Sequence, residues 1–173
     1  MKGVLINSFK DYYLEKKDED SWKKLLNNIG LGNHTIILAT TDFDDSKAMS
    51  LIEHMAKELN MQKKLFLKEL GEYFVTNTSQ KLYKHFYRKY NSAKEFLLNL
   101  DNIHKQMTST VKGAKPPKFS YSEKDDKTLL MTYNSHRDMV DYFIGAIQGV
   151  GKIYNERLLV NITSNNQAEI RFQ

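Results

Sequence analysis

The chain reads as an α+β fold. A helical N-terminal part, about residues 1–111, precedes a small antiparallel sheet crossed by one helix, about residues 116–173. Three observations predict it. Apolar residues recur at helical spacing almost throughout from Met1 to about Val111. The run Lys112-Gly113-Ala114-Lys115-Pro116-Pro117 then breaks the pattern and contains both prolines of the protein. Beyond it, period-two alternation takes over on either side of one more helical stretch. At 173 residues and 40% hydrophobic content, the chain can build one substantial core but hardly two, so a single domain over residues 1–173 is expected.

The elements follow in order. Gly3 to Leu14 carries Val4, Leu5, Phe9, Tyr12 and Tyr13 in a helical pattern. Asp20 or Ser21 is expected to cap a short helix bearing Trp22, Leu25, Leu26 and Ile29, which Gly30 and Gly32 close. After the uncharged link His34 to Thr41, Asp42 to Ser46 offers N-caps for a helix with Met49, Ile52, Met55, Ala56 and Leu59 on its inner side. Acidic residues in a first turn need no catalytic role, so Asp44 and Asp45 are read as caps. Helices are expected over about Gln62 to Phe74 and Ser79 to Tyr90, the second with Leu82, Phe86 and Tyr90 inward and its lysines outward. The next spans Asn91 to Val111. Past the breaker, Phe119 to Ser122 and Thr128 to Ser135 read as strands around the turn Glu123 to Lys127. A helix from about Arg137 to Tyr154 follows, and Arg157 to Thr163 and Ala168 to Phe172 close the chain as a hairpin around Ser164-Asn165-Asn166.

Composition excludes several chemistries. There is no cysteine, so disulfides, iron–sulfur clusters, thiolate zinc sites and thiol nucleophiles are ruled out, and any metal must be held by histidine or carboxylate. No uncharged run approaches the length of a membrane span, and the N-terminus lacks the long apolar core of a secretory signal. A soluble cytoplasmic domain is expected. The formal net charge of +5 is spread among 21 acidic residues and reads as a solvated surface. Nucleic acid is not expected as a partner, because no recognition motif accompanies the basic and aromatic stretch Lys81 to Tyr90.

Two stretches carry the chemistry. Leu97, Leu100, His104, Met107 and Val111 fall at steps of three and four, placing an imidazole on an apolar helix face. Two readings are open: a core histidine satisfied by one hydrogen bond, or a metal ligand. A single imidazole on an apolar wall suits haem iron better than zinc, which needs further ligands close by. In the second stretch, strand alternation puts Leu129, Met131, Tyr133, Ser135 and Arg137 on one face. That face ends in a row of hydrogen-bond donors matching a ligand with two carboxylates, and Arg137 is able to grip one of them through paired bonds.

Together, DNIHKQMTSTVKGAKPPKF and YNSHRDMVDYFIGAIQG resemble the H-NOX (haem nitric oxide/oxygen binding) domains, bacterial relatives of the haem domain of soluble guanylate cyclase. The resemblance runs from the opening MKG to the closing IRF. It implies haem b as cofactor, His104 as the proximal iron ligand, and Tyr133, Ser135 and Arg137 as donors to the haem propionates. Pro117 corresponds to the family's proline that presses on the porphyrin. Leu5, Phe9, Phe74, Leu100, Tyr142 and Ala146 are the implied pocket residues.

Tyr142 matches the tyrosine with which oxygen-binding relatives donate to bound dioxygen, while Phe9 and Phe74 stand where those relatives place polar support. Gly145, Ala146 and Gly149 after it leave a smooth helix face on which a ring could lie. The implied function is a gas sensor for nitric oxide, with oxygen and carbon monoxide as further ligands, and not an enzyme. Nitric oxide would weaken the iron bond to His104 and so signal to a histidine kinase, a cyclic-di-nucleotide enzyme, a chemotaxis receptor or a fused effector. Rival readings are a peroxidase-like haem enzyme, for which no distal acid–base pair is evident, and a haem-free binding module, against which the intact His104 and donor row argue.

Overall fold

The computed structural model describes residues 1–109, 111 and 113–173. Thr110, expected near a helix end, and Lys112, expected to open the breaker, lie outside them. Helix α1 (Gly3–Leu14) begins without a capping side chain. The loop before the third helix supplies the missing acceptors: Gly3 N donates to Thr41 O and Val4 N to Ala39 O, both at 2.9 Å. Only glycine permits that approach, since a Cβ at Gly3 would sit 2.1 Å from the Leu38 carbonyl oxygen. Helix α2 (Glu19–Asn28) is capped by Asp18, which accepts from Ser21 N at 2.8 Å, so the cap falls before the expected Asp20 or Ser21. The shift leaves Glu19 and Asp20 in the first turn, where the helix dipole favours them. Helix α3 (Asp45–Glu58) is capped by Asp44, and α4 is Lys63–Tyr73.

Two expected helices are divided. After α4 the chain stays helical but widens into a π-helical segment, Phe74–Ser79, where the Thr76 hydroxyl donates to the Glu72 carbonyl at 3.0 Å. Two short pieces follow, α5 (Gln80–Leu82) and α6 (Lys84–Tyr87), separated where Tyr83 leaves helical geometry. The single amphipathic helix expected over 79–90 is therefore absent among the described residues. Phe86 is buried as expected, but Leu82 is 56% exposed. The His104 stretch likewise splits at Asn99 into α7 (Ala93–Leu98) and α8 (Leu100–Thr108).

The sheet is antiparallel throughout, in the order β1-β2-β4-β3. Its strands are β1 (Lys118–Asp125), β2 (Thr128–Asn134), β3 (Leu158–Ser164) and β4 (Gln167–Phe172). The first hairpin turn is tighter than expected, because pairing continues to Asp125↔Thr128. Helix α9 (Val140–Ile153) links β2 to β3. It starts later than the sequence suggests, since Arg137 N donates to Ser135 Oγ at 3.2 Å and Met139 N to Arg137 O at 2.8 Å, making a loop of residues 135–139.

Two apolar cores result. One is built from α1 to α4 around Ile6, Phe9, Leu51, Ile52 and Phe66. The other joins α7, α8, α9 and the sheet around Phe96, Leu97, Ile103, Leu129, Met131 and Ala168. Helix α9 straddles them: Tyr142 packs against the first, while its neighbour Phe143 belongs to the second. Along the seam lie residues that are only half-buried, among them Leu5, Phe74, Leu100, Phe119, Tyr133 and Ala146.

Candidate cofactor site

Two buried side-chain polar atoms lack a hydrogen-bond partner among the described residues: His104 Nδ1, on α8, and the Tyr142 hydroxyl, on α9. Each such atom costs about 1–3 kcal/mol if nothing meets it. His104 lies on a helix of the sheet core, while the Tyr142 side chain packs against the helical core. Burial pushes the His104 imidazole below its ordinary pKa, with the Pro117 carbonyl and the Asp101 carboxylate acting the other way. The neutral ring is the form that ligates a metal. Its wall is aromatic, with Phe119 at 5.6 Å between centroids, and Phe119 and Tyr133 each stack on Phe143, at 5.3 and 5.2 Å. Two backbone tethers pin α8 to β1: Phe119 N donates to Asp101 Oδ1 and Asp101 N to the Tyr121 hydroxyl, both at 3.3 Å. Phe119 and Phe143 escaped the sequence reading. The alternation in β1 and the register of α9 were the available signals.

The donor row extends past the strand that was expected to carry it. Tyr133 lies in β2, whereas Ser135 and Arg137 lie in the loop beyond Asn134. Alternation nevertheless survives in burial: Tyr133, Ser135 and Arg137 are half-buried, while Asn134, His136 and Asp138 are exposed. Burial raises the Tyr133 pKa while the Ser135 hydroxyl and the Arg137 guanidinium lower it, which puts the three within electrostatic reach of one another. They line an open surface depression of about 640 Å3.

Arg137 is already held. Its Nε donates to Asp45 Oδ1 at 2.9 Å and its Nη1 to the Lys115 carbonyl at 3.3 Å. Asp45 also takes the Met1 amino group and His136 Nε2, at 2.5 and 2.9 Å. From sequence alone Asp45 has no role beyond the helix start, because its partners are separated from it by 44, 91 and 92 positions. Burial raises the Asp45 pKa, but bonds from Arg137, the Met1 amino group and His136 outweigh it and hold the carboxyl well below the usual range. A depressed carboxyl stabilises the fold fully above its unfolded pKa, near 4, and progressively less as pH falls toward the folded value. Asp45→Asn is therefore expected to flatten the acid limb of stability: urea midpoints of the variant should fall less than those of the parent between about pH 4 and 2.

On the other side of the seam, Tyr142 meets Phe9 edge-on at 6.0 Å and Phe74 at 6.3 Å. Neither ring accepts a hydrogen bond in the ordinary sense, and burial raises the phenol well above its ordinary pKa, so it stays a neutral donor. The glycines that follow Tyr142 do not open a surface for a ring, as their spacing suggested. They receive α4 instead. A Cβ at Gly145 would lie 1.9 Å from the Lys68 carbonyl oxygen, and one at Gly71 2.0 Å from the Tyr142 carbonyl oxygen.

The other histidines are engaged or exposed. His54 Nδ1 meets the Ser50 carbonyl at 2.8 Å, His136 meets Asp45, His85 lies beside Phe86, and His34 is exposed. Among the described residues no group of three or more His, Asp or Glu could hold a metal ion. A single neutral imidazole facing an apolar seam, with donors at one end, fits haem rather than a bare metal ion. Among the described residues no helix is long and apolar enough to cross a membrane.

The profile of the haem-NO-binding family matches residues 2–162. Solved structures agree in fold. An H-NOX protein from S. oneidensis in the Fe(II)NO ligation state is 15% identical, with TM-score 0.92 over 100% of this chain and 99% of that one. A variant of the T. tengcongensis H-NOX is 22% identical, with TM-score 0.87 over 100% and 98%. An oxygen-binding H-NOX domain related to soluble guanylate cyclases, in its oxygen complex, is 22% identical, with TM-score 0.82 over 100% and 95%.

Proposed function

Because the chain belongs to the haem-NO-binding family, we propose that it is a haem-based gas sensor, tuned to nitric oxide and acting as a regulatory domain rather than an enzyme. The observation that carries this reading is the pair of orphaned polar atoms, His104 Nδ1 on a helix of the sheet core and the hydroxyl of Tyr142, whose side chain packs against the helical core. The iron of a bound haem supplies a coordination position for a diatomic ligand. Haem b is the form that suits a chain without cysteine, which cannot make thioether links. His104 is the side chain that ligates, and Tyr133, Ser135 and Arg137 hold the carboxylates. Leu5, Phe9, Phe74, Leu100 and Ala146 form the apolar walls, with Pro117 beside the His104 ring.

The preference for nitric oxide rests on Tyr142. Its hydroxyl is a neutral donor whose nearest rings, Phe9 and Phe74, cannot fix its direction. Oxygen gains from such a donor, whereas nitric oxide needs none. Tyr142→Phe is expected to leave nitric oxide affinity within about threefold and to speed oxygen release about tenfold, the worth of one hydrogen bond. Stopped-flow traces with each gas check this. The output runs through His104: α8 is short and tethered at Asp101, so a ligand that weakens the hold on the imidazole shifts the balance between two positions of this helix. The signal then passes to a partner protein or a fused effector.

The deciding experiment is the absorption spectrum of the anaerobically reduced, haem-reconstituted protein before and after nitric oxide, then separately oxygen. A Soret band that moves with nitric oxide supports the sensor. Failure to take up haem at all would overturn it in favour of a haem-free binding module.

A further inference from the structure

We infer that Asn166, in the turn between β3 and β4, is a further donor to the haem carboxylates, opposite the row Tyr133, Ser135 and Arg137. The inference rests on the proposed haem site and adds a residue from a different part of the chain.

The register places it. In the β2–β4 pair, Leu129 faces Ile170, Met131 faces Ala168 and Thr132 faces Gln167. The next step is continued by Tyr133 N donating to Asn166 O at 2.7 Å, which sets Asn166 across from Tyr133. Directly opposed residues of an antiparallel pair project from the same face. Asn166 thus shares the face of Leu129, Met131, Ala168 and Ile170, all fully buried, at the end where that face turns polar. Gln167 projects from the other face, where its Nε2 meets Thr132 Oγ1 at 3.2 Å. Asn165 and Asn166, both exposed, lie on the rim of the same open depression of about 640 Å3 that the donor row lines.

The amide is free to donate. Asn166 Oδ1 accepts from the Ser164 hydroxyl at 3.4 Å, and its NH2 meets no acceptor among the described residues. The site needs donors: two carboxylates present four oxygens, while Arg137 spends Nε on Asp45 and Nη1 on Lys115. Asp138, on the same rim, adds a negative charge that opposes them. A neutral amide with two N–H groups answers that shortage. Neither turn residue adopts positive φ, so alanine fits at 166 without backbone strain.

The test follows haem loss from the reconstituted holoprotein to excess apomyoglobin, for the parent, Asn166→Ala, Asn166→Asp and Arg137→Ala. Native haem is expected to leave Asn166→Ala about fivefold faster, and Asn166→Asp faster still because a carboxylate then faces carboxylates. With haem dimethyl ester, which lacks the carboxylates, the Asn166 variants are expected to match the parent. Parent-like loss of native haem from both Asn166 variants overturns the inference, as does acceleration that persists with the ester, which would make Asn166 a structural residue. If Arg137→Ala accelerates loss while the Asn166 variants do not, the haem site stands and Asn166 is excluded. If no variant, Arg137→Ala included, differs from the parent, the carboxylate end lies elsewhere and the underlying placement fails with it.

Discussion

His104→Ala is expected to leave the protein unable to retain haem after reconstitution, with the Soret band reduced to that of loosely adsorbed cofactor. The size of the effect follows from how little else could replace the ligand. His54 and His136 already have partners, and His34 and His85 are exposed. In the proposed site the donor row would grip only carboxylates, and the apolar walls would contribute area without a bond to iron. The imidazole is buried, neutral and unpartnered at Nδ1, so the substitution also removes an orphan that costs about 1–3 kcal/mol. That gain is set against the packing lost on Phe119, so the haem-free variant should be about as stable as the haem-free parent. Haem content by pyridine haemochrome assay, set beside urea midpoints of both haem-free proteins, separates lost ligation from lost folding. Unchanged haem content and spectrum would refute the assignment of His104 as ligand.

Gly145→Ala is expected to be the most damaging small substitution to the fold itself. Two effects oppose each other. Alanine favours a helix over glycine by about 1 kcal/mol. Its methyl, however, would stand 1.9 Å from the Lys68 carbonyl oxygen and 2.6 Å from the carbonyl carbon, which are backbone atoms of α4 and cannot rotate away. The helices must separate, and overpacking of that severity costs about 3 kcal/mol or more. A net loss of about 2 kcal/mol or more lowers Tm by roughly 4–8 °C for a chain of this size. Gly30, whose added Cβ would meet nothing within 4 Å, provides the contrast in the same assay: there the methyl finds space and only the positive φ opposes it. A Gly145→Ala variant that melts with the parent would mean that the α4–α9 contact is looser than its geometry implies.

Much of this was legible in the sequence where the determinants are local. The bounds of α1, the acidic cap of α3 and the alternation of β2 follow from periodicity and side-chain type within a few residues. The helix breaks at Tyr83 and Asn99 were not legible, because no proline or glycine marks them and the apolar steps run through both. The glycines after Tyr142 had the right spacing and the wrong use: their partner, the α4 backbone, is some 75 positions away, and nothing at 145 names it. Asp45 is the same case in electrostatics. A carboxylate in a first turn looks like a cap until the chain folds Arg137 and His136 onto it. His104 and the donor row stood out because each breaks a local rule, an imidazole among leucines and hydroxyls on a core-facing row.

Adjacent residues of α9 serve different halves of the molecule, Tyr142 the helical core and Phe143 the sheet core. That sharing limits the degrees of freedom between the halves. Translation apart would tear α9 from α4, where the backbones touch at Gly71 and Gly145, or from the stacked rings of Phe119 and Tyr133. Any relative displacement of the halves therefore costs contacts on one face of α9 or the other, so the helix acts as a shared rivet between them.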